Sequence, residues 1–307
     1  MNLVYDVVII GGGPAGLTAG LYASRAKLNT ILIEKDRSGG QVNTTEELEN
    51  YPGIPEDQPA PELMERMTQQ AVNFGTKIIR DEVVGLEDFD DYKVVKGKEG
   101  EYKTKTVIIA TGAQPRLLGV PGELELRGKG VSYCATCDAD FFQDLDVVVV
   151  GGGNSAIEEA IYLTRFANKV TIIHRRDALR ATAILQEKAF ANEKIDFIWD
   201  SVIEEIKGDG IVESVVIRNK KTGEVSELET NGVFIFVGTD PISGFAKGFV
   251  EMDEKGYIIT DENMETSVKG VFAAGDVRKK LLRQVITAAA DGAVAAAAAE
   301  KYIAERE

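Results

Sequence analysis

An apolar run of strand length followed by three glycines occurs twice in this chain. Residues 7 to 16 read VVIIGGGPAG, and residues 147 to 156 read VVVVGGGNSA. Each run is rich in β-branched residues and lacks the polar alternation of a half-exposed strand, which is typical of a buried parallel strand. Because each run leads through glycines into a segment of helical character, the sequence predicts two copies of one strand–turn–helix module.

The small residues in each copy are spaced as a phosphate-binding turn requires. The first two glycines allow a tight turn and let backbone N–H groups approach a pyrophosphate at the positive end of the following helix. The third position must be small so that the helix packs closely on the strand. These positions are Gly11, Gly13 and Gly16 in the first copy and Gly151, Gly153 and Ala156 in the second. Both copies are therefore predicted to bind a dinucleotide.

The later parts of the two modules also correspond. VIIATGAQP at residues 107 to 115 matches VFIFVGTDP at 233 to 241, which aligns Gly112 with Gly238 and Pro115 with Pro241. Because both the start and the end of the module are repeated, the two glycine turns are more than two unrelated tight turns. The predicted fold is α/β, with two Rossmann-like dinucleotide-binding domains.

The two modules differ where the adenosine ribose is expected. The strand NTILIE ends at Glu34, whose carboxylate can accept hydrogen bonds from both hydroxyls of an unphosphorylated ribose, as in FAD or NAD. The strand KVTIIH instead leads into a basic cluster formed by His174, Arg175, Arg176 and Arg180. Guanidinium groups there suit a 2′-phosphate and hence NADPH. The alternative is a solvated basic helix start partnered by Asp177.

A third segment predicts a flavin contact. GVFAAGDV at residues 270 to 277 ends a short strand at Gly275 and Asp276, and this carboxylate can accept hydrogen bonds from the ribityl hydroxyls of a flavin. The following RQVITAAADGAVAAAAAEKYIAE is typical of a long helix, whose N-terminal dipole can stabilise negative charge on a reduced flavin. Core packing alone also explains so many alanines.

The only two cysteines, Cys134 and Cys137, are three residues apart in YCATC. Such a pair is half of a zinc site, a redox disulfide or two inert thiols. Zinc generally needs four nitrogen or sulfur ligands, and the single histidine lies at the ribose end of the second module. The sequence therefore favours a redox pair.

Composition excludes several other roles. A formal net charge of −15 opposes a sequence-independent attraction to nucleic acid or anionic lipid. The sequence shows no apolar run long enough to span a bilayer and no signal peptide at its start, so we expect a cytoplasmic protein with no membrane partner.

The order of these motifs resembles that of the low-molecular-weight thioredoxin reductases of bacteria. The resemblance covers essentially the whole chain and rests on both glycine turns, on CATC with Asp138, on HRRDALR, and on GVFAAGD with RQ downstream. It implies an FAD-binding domain formed by residues 1–115 and 244–307, into which an NADPH-binding domain of residues 116–243 is inserted, and it implies a homodimer. One departure is Ala139, where many members of the family have glycine.

The resemblance also assigns residues. It implies flavin contacts at Gly40, Gln41, Asn50, Thr111, Asp276 and Gln284, and NADPH contacts at Asn154, Ser155, Arg175, Arg176 and Arg180. Gly112 and His174 complete the predicted cofactor-binding positions. For the redox pair it implies that Cys137 faces the flavin and that Cys134 attacks the disulfide of the protein substrate, thioredoxin. Asp138 is expected to exchange the proton that the released thiolate needs.

The cysteine pair belongs to the second module, because it follows the first crossing and precedes Gly151. Both the nicotinamide and the disulfide must approach the flavin, so we expect a rotation of the inserted domain about the two crossings to exchange them. Three alternatives remain: a flavin dithiol oxidoreductase that uses ferredoxin as its donor, one with a small-molecule or glutaredoxin-like acceptor, and a redox sensor that binds FAD without turnover.

Overall fold

The computed structural model of the chain describes residues 4–44, 48, 50–55 and 58–306. The chain divides into two compact units. One comprises the chain up to Gln114 together with the chain from Asp240 onward, and the other comprises Pro115–Thr239. The sequence placed these boundaries after residues 115 and 243. Among the described residues, no helix has the length and apolar character needed to cross a membrane.

Strands and helices alternate along much of the chain. The strands are β1 (Val4–Ile10), β2 (Thr30–Glu34), β3 (Lys77–Arg80), β4 (Val83–Asp88), β5 (Lys93–Gly97), β6 (Glu101–Ile109), β7 (Ala113–Pro115), β8 (Val131–Ser132), β9 (Asp146–Val150), β10 (Lys169–Ile173), β11 (Ile195–Ile198), β12 (Ser201–Lys207), β13 (Ser214–Asn219), β14 (Val225–Glu229), β15 (Gly232–Ile235), β16 (Thr239–Pro241) and β17 (Val271–Ala273). The α-helices are α1 (Pro14–Arg25), α2 (Ala60–Phe74), α3 (Ala135–Asp138), α4 (Asn154–Leu163), α5 (Ala183–Phe190) and α6 (Val285–Ala304).

The first unit is built on a sheet of order β3-β2-β1-β6-β5-β4, with β17 also paired to β6. Strands β1, β2, β3, β6 and β17 are parallel, whereas β4 and β5 form an antiparallel hairpin. The last four residues of β1 are fully apolar and buried, as expected for a strand covered on both faces. On one side, α6 packs tightly on α1: a Cβ added to Gly292 would lie 2.1 Å from the carbonyl oxygen of Ala15.

The second unit repeats this plan on a smaller scale. Its parallel sheet has the order β11-β10-β9-β15-β8, and β12, β13 and β14 form a separate antiparallel sheet. β9 lies between β10 and β15 as β1 lies between β2 and β6. The register is equivalent too, because Val7 pairs with Thr30 in one unit and Val147 with Val170 in the other. The predicted α/β fold with two Rossmann-like units is confirmed.

The chain passes between the units through β7 and β16, which form a two-stranded sheet. The glycine that precedes each crossing strand has a positive φ, +73° at Gly112 and +121° at Gly238. A backbone hydrogen bond holds each crossing within its own unit: the Ile242 N–H donates to Gly112 O at 2.9 Å, and the Arg116 N–H donates to Gly238 O at 3.0 Å. Both glycines align in the sequence repeat, so the duplication extends to the crossings.

Candidate active site

The first glycine turn lies where β1 ends. Gly11 has a φ of +104°, and its N–H donates to Ile33 O at 2.8 Å. A Cβ on Gly11 would lie 2.5 Å from Ala110 O, and one on Gly16 would lie 1.8 Å from Gly11 O. By contrast, beyond the adjoining residues of the chain, no described atom lies within 4 Å of a Cβ position on Gly13. The turn is therefore closed towards the sheet and open on its outer side, where a phosphate group would bind.

Glu34, at the end of β2, contacts this turn directly. Its Oε2 accepts a hydrogen bond from the Gly12 N–H at 2.6 Å, and its Oε1 accepts one from the Asp36 N–H at 3.0 Å. Gly40 also approaches the turn, because a Cβ at its position would lie 3.4 Å from Gly13 Cα. The carboxylate predicted to bind a ribose therefore lies on the turn predicted to bind a pyrophosphate.

Asp276 follows β17 at the same edge of the sheet. The preceding Gly275 has a φ of +78° and packs on Ala15 of α1, since a Cβ on this glycine would lie 2.8 Å from Ala15 Cβ. Asp276 Oδ1 is buried and has no hydrogen-bond partner among the described residues. Burial raises the pKa of Asp276 to about 6, against the opposing charges of Lys280 and Arg283. A buried oxygen acceptor beside the glycine turn fits the polyol chain of a flavin nucleotide.

The other predicted flavin contacts lie in the same unit. The Asn50 side-chain amide donates to Gln284 Oε1 at 3.0 Å, which joins two positions 234 residues apart. Thr111 Oγ1 donates to Ile242 O at 2.5 Å. Gln41 is exposed in a short 3-10 helix, Gly40–Thr44. The fold thus brings together residues from the first 114 and the last 68 positions of the chain.

An ion cluster that sequence reasoning missed supports the Asp276 turn. Asp291 lies within α6, is 8% exposed, and its Oδ2 accepts a hydrogen bond from the Gly275 N–H at 3.0 Å. The same carboxylate pairs with Lys280 Nζ at 2.7 Å and with Arg278 at 3.3 Å. The sequence offered one indication of this cluster, which is an aspartate within an alanine-rich helix. A charged residue in such a buried helix is generally paired with an opposite charge.

The second glycine turn has the same construction. Gly151 has a φ of +153°, its N–H donates to Ile173 O at 3.2 Å, and a Cβ on it would lie 2.6 Å from Ala156 Cβ. Apart from the adjoining residues of the chain, no described atom lies within 4 Å of a Cβ position on Gly153. Asn154 begins α4 and its Oδ1 accepts from the Thr182 N–H at 2.9 Å. Ser155 is exposed beside it.

His174 lies beneath this turn and is not part of the exposed basic cluster. It is 4% exposed, and a Cβ on Gly152 would lie 2.4 Å from its imidazole ring. Burial lowers the pKa of His174, and the charges of Arg180, Arg176 and Arg175 lower it further. The neutral ring therefore supports the turn from below.

The three arginines are exposed, as a site for a phosphate group requires. Among the described residues, none of Arg175, Arg176 and Arg180 forms a salt bridge. Asp177 pairs with Lys221 at 2.9 Å, so it does not neutralise the cluster. The Arg180 N–H donates to Gly152 O at 2.7 Å, which places the segment against the glycine turn. The segment is not a helix start, because α5 begins only at Ala183.

Cys134 and Cys137 form a disulfide with a Cα–Cα distance of 5.3 Å. Both are partly buried, and the single-turn helix α3 brings them together, with the Cys137 N–H donating to Cys134 O at 3.4 Å. Ala139 follows in the right-handed helical region at φ −60°, ψ −33°. Alanine adopts this conformation without strain, so the departure from glycine leaves the turn unaffected.

Asp138 ends α3 and accepts a hydrogen bond from Ser132 Oγ at 2.6 Å. Ser132 also accepts one from the Cys134 N–H at 3.1 Å. Sequence reasoning did not identify Ser132, because its hydroxyl reaches Asp138 only after the turn has folded back on β8. In the described part of the chain, no group of three or more histidine, cysteine and acidic residues is arranged to hold a metal ion.

Comparison with known proteins gives the class to which this fold and site belong. Residues 5–292 match the family described as pyridine nucleotide-disulphide oxidoreductase. The chain belongs to this family.

Several proteins that are similar to this chain over nearly its whole length are named thioredoxin reductase. One from Peptoclostridium litorale is 58% identical over 311 residues, covering 99% of each chain, and one from Bacillus subtilis is 51% identical, covering 98% of this chain and 96% of its own. A crystal structure of thioredoxin reductase from Streptococcus pyogenes is 52% identical, with a TM-score of 0.91 over 99% of this chain and 100% of that one. The enzyme from Giardia duodenalis is 43% identical, with a TM-score of 0.89 over 98% and 99%.

Proposed function

We propose that this chain is an NADPH-dependent thioredoxin-disulfide reductase with FAD as its resident cofactor. The observation that carries the proposal is the Cys134–Cys137 disulfide beside Asp138, on a unit inserted into a second dinucleotide-binding fold. Relatives named thioredoxin reductase support it, since they are 58% and 52% identical to this chain over nearly its whole length.

The first unit is the proposed FAD site. Gly11 and Gly13 would bind the pyrophosphate, Glu34 the adenosine ribose, and Asp276 the ribityl chain, whose hydroxyls would satisfy its buried Oδ1. Gly16 and Gly292 hold α1 close to the strand and to α6. The remaining proposed contacts are Gly40, Gln41, Asn50, Thr111, Gly112 and Gln284.

The second unit is the proposed NADPH site. Gly151 and Gly153 would bind the pyrophosphate with Asn154 and Ser155 at the helix start. Arg175, Arg176 and Arg180 would bind the 2′-phosphate, because they are exposed and free of salt bridges with the described residues. His174 would contribute to the site indirectly, because its ring packs against Gly152 and supports the glycine turn.

When held by Gly11, Gly13, Glu34 and Asp276, FAD would supply the two-electron chemistry that links hydride donation by the reduced nicotinamide to reduction of the Cys134–Cys137 disulfide. After the Cys134–Cys137 disulfide has been reduced, the Cys134 thiolate attacks one sulfur of the thioredoxin disulfide. The displaced sulfur leaves as a thiolate and takes up a proton. The Cys137 thiolate then attacks the Cys134 sulfur of the mixed disulfide, which restores Cys134–Cys137 and releases the second thiolate. Asp138 is the proposed proton donor and acceptor for these sulfurs.

The nicotinamide must reduce the flavin in one half-reaction, and the disulfide must oxidise it in the other. Both belong to the second unit, so each must approach the flavin in turn. Rotation of this unit about β7 and β16 is the proposed means of exchange. Hinge motions of this type commonly take microseconds to milliseconds.

Anaerobic flavin bleaching of the purified protein tests the donor, and reduction of thioredoxin tests the acceptor. We expect fast bleaching by NADPH, slower bleaching by NADH at matched concentrations, and multiple turnovers with thioredoxin. Bleaching by neither coenzyme would favour a ferredoxin-dependent dithiol oxidoreductase. Bleaching without turnover on thioredoxin, glutaredoxin-like proteins or small disulfides would favour an FAD-binding redox sensor.

The two thiols and Asp138 are tested separately. Cys134→Ser should abolish thioredoxin reduction and leave flavin reduction by NADPH intact. Asp138→Asn should slow disulfide exchange by about a hundredfold, as expected for loss of general acid help, again with flavin reduction near normal. Equal loss of both steps in Asp138→Asn would refute the role assigned to its carboxylate.

We also propose a homodimer located in the cytoplasm, on the family resemblance alone. Sedimentation velocity of the FAD-bound protein tests the first statement, since a homodimer has twice the mass of the chain. Cell fractionation with an antibody to the chain tests the second.

A further inference from the structure

Ser132 occupies a fixed position between the sheet of the second unit and the redox turn. It ends β8, where it pairs with Phe234 of the neighbouring parallel strand β15. Ser132 is 5% exposed and Phe234 is fully buried. A hydroxyl group at this position moves with the sheet, because both the strand pairing and the surrounding core hold its backbone.

The Ser132 hydroxyl connects the two ends of the redox turn. Its oxygen accepts a hydrogen bond from the Cys134 N–H at 3.1 Å, and it lies 2.6 Å from Asp138 Oδ2 and 3.2 Å from Cys134 O. A hydroxyl has one hydrogen to donate, and the shorter bond to the carboxylate is the stronger one because its acceptor is charged. The result is a relay from the Cys134 backbone, through the hydroxyl, to the Asp138 carboxylate.

We propose that Ser132 is a positioning residue that fixes the Asp138 carboxylate relative to the Cys134 thiol. This inference rests on the proposed function, in which Asp138 exchanges a proton with a sulfur of the exchange reaction. A proton acceptor contributes fully only when it is held within hydrogen-bond reach of the proton. Asp138 stands at the end of a single helical turn, so its side chain gains a defined direction from the bond to the buried hydroxyl.

The relay has a second consequence for the reduced protein. Reduction breaks the covalent link between Cys134 and Cys137, and the Ser132 bonds do not depend on that link. They continue to join the Cys134 backbone to residue 138 while the thiols react. A donated hydrogen bond also stabilises the ionised carboxylate, so removal of the hydroxyl should move the pH dependence of the exchange step.

The first test compares Ser132→Ala with a matched control. Ser214→Ala removes another buried hydroxyl of the same unit, which is 7% exposed and donates to Glu227 Oε1 at 2.6 Å. In rapid mixing of the reduced FAD-bound protein with oxidised thioredoxin, Ser132→Ala should slow exchange by about tenfold, the usual effect of one lost hydrogen bond to a charged group. In this variant, the acidic limb of the pH profile of the exchange rate should shift to higher pH. Flavin reduction by NADPH should stay unchanged, and Ser214→Ala should leave every measured rate and the pH profile unchanged.

A double-mutant comparison tests whether Ser132 acts through Asp138. If it does, adding Ser132→Ala to Asp138→Asn should slow disulfide exchange by less than about twofold further, because the carboxylate that Ser132 positions is already gone. A full tenfold loss on top of Asp138→Asn would overturn the proposal. So would a Ser132→Ala variant with the rate and pH profile of the unmodified protein.

A third measurement separates this proposal from the proposed function and from misfolding. The rate at which iodoacetamide alkylates the chemically reduced thiols needs no protein substrate, and its pH profile should differ between Ser132→Ala and Ser214→Ala. If the unmodified protein fails to reduce thioredoxin, the proposed function is wrong while the alkylation profile still decides the role of Ser132. If Ser132→Ala does not fold, Ser132→Thr keeps the hydroxyl and should retain the profile, and a Thr variant with an altered profile would refute the relay.

Discussion

The Tyr133 hydroxyl donates a hydrogen bond to Glu123 Oε1 at 2.9 Å. Glu123 is 1% exposed, and its carboxylate also accepts the N–H groups of Leu118 and Gly119 at 2.9 and 2.7 Å. Burial, followed by the bond to Glu123, raises the pKa of Tyr133. One buried carboxylate therefore ties the residue next to Cys134 to the segment that follows the first crossing.

Tyr133→Phe should destabilise the protein by roughly 1–2 kcal/mol, because it leaves a buried carboxylate with one donor fewer. Denaturant unfolding followed by intrinsic fluorescence measures the change. Tyr102→Phe is the control, since its hydroxyl donates to Asp81 Oδ2 at 2.9 Å in the other unit. Both variants should lose stability, and only Tyr133→Phe should change the alkylation rate of the reduced thiols. An unchanged unfolding midpoint in Tyr133→Phe would show that the bond contributes nothing.

Asp276 should make the ligand-free protein less stable as the pH rises from about 4 to about 6. Its pKa is near 6 in the folded protein and ordinary in the unfolded chain, so the folded state binds the extra proton in this window. The free energy of unfolding of Asp276→Asn should therefore exceed that of the unmodified protein by up to roughly 3 kcal/mol at pH 7 and by little at pH 4. The same variant should bind FAD about tenfold more weakly.

Urea unfolding of the ligand-free protein at the two pH values, and flavin fluorescence titration, check the Asp276 prediction. Glu254→Gln removes the same formal charge at an exposed position and should show neither effect. A stability difference that is equal at pH 4 and pH 7 would contradict the proposed cause, which is the buried charge.

The arginine cluster should set the coenzyme preference. Arg175→Ala combined with Arg176→Ala should weaken NADPH binding by at least about a hundredfold and leave NADH binding nearly unchanged, because charge-assisted bonds to a 2′-phosphate contribute roughly 1.5–3 kcal/mol each. Steady-state kinetics with both coenzymes measure the ratio of kcat/KM values. Lys221→Ala removes a nearby cation that pairs with Asp177 and Asp200, and it should keep the preference. Parallel losses with NADPH and NADH would point to damage of the turn and not of a phosphate site.

Asp291→Asn should be strongly destabilising, by about 3–5 kcal/mol, because it removes the carboxylate with which the largely buried Lys280 and Arg278 side chains pair. Thermal unfolding of the ligand-free protein measures the loss. The exposed pair of Glu265 with Lys269 provides the control, and Glu265→Gln should change stability by less than about 0.5 kcal/mol. If the two variants unfold at the same temperature, the cluster does not hold the Gly275–Asp276 turn.

Much of the site was predictable from sequence because its parts are local. A glycine turn after a buried strand needs only neighbouring residues, so Gly11, Gly13, Gly151 and Gly153 were identified from spacing alone. Two cysteines three residues apart meet across one helical turn, so the Cys134–Cys137 disulfide is also a local structure. The repeat added the long-range order, since two similar strand–turn–helix modules favour the same parallel pairing.

The amino-acid pattern was sufficient to predict the class of fold, the two turns, the redox pair and the contrast between Glu34 and the arginine cluster. Which buried polar groups support these features depended on how the folded chain packs. Ser132 meets Asp138, Glu123 meets Tyr133, and Asp291 meets Gly275 through side-chain hydrogen bonds whose geometry no periodicity encodes. His174 shows the same limit, because its sequence neighbours are exposed cations while the packing of Gly152 buries its ring. Burial is a property of the folded chain, and it gives these polar groups their partners and their altered pKa values.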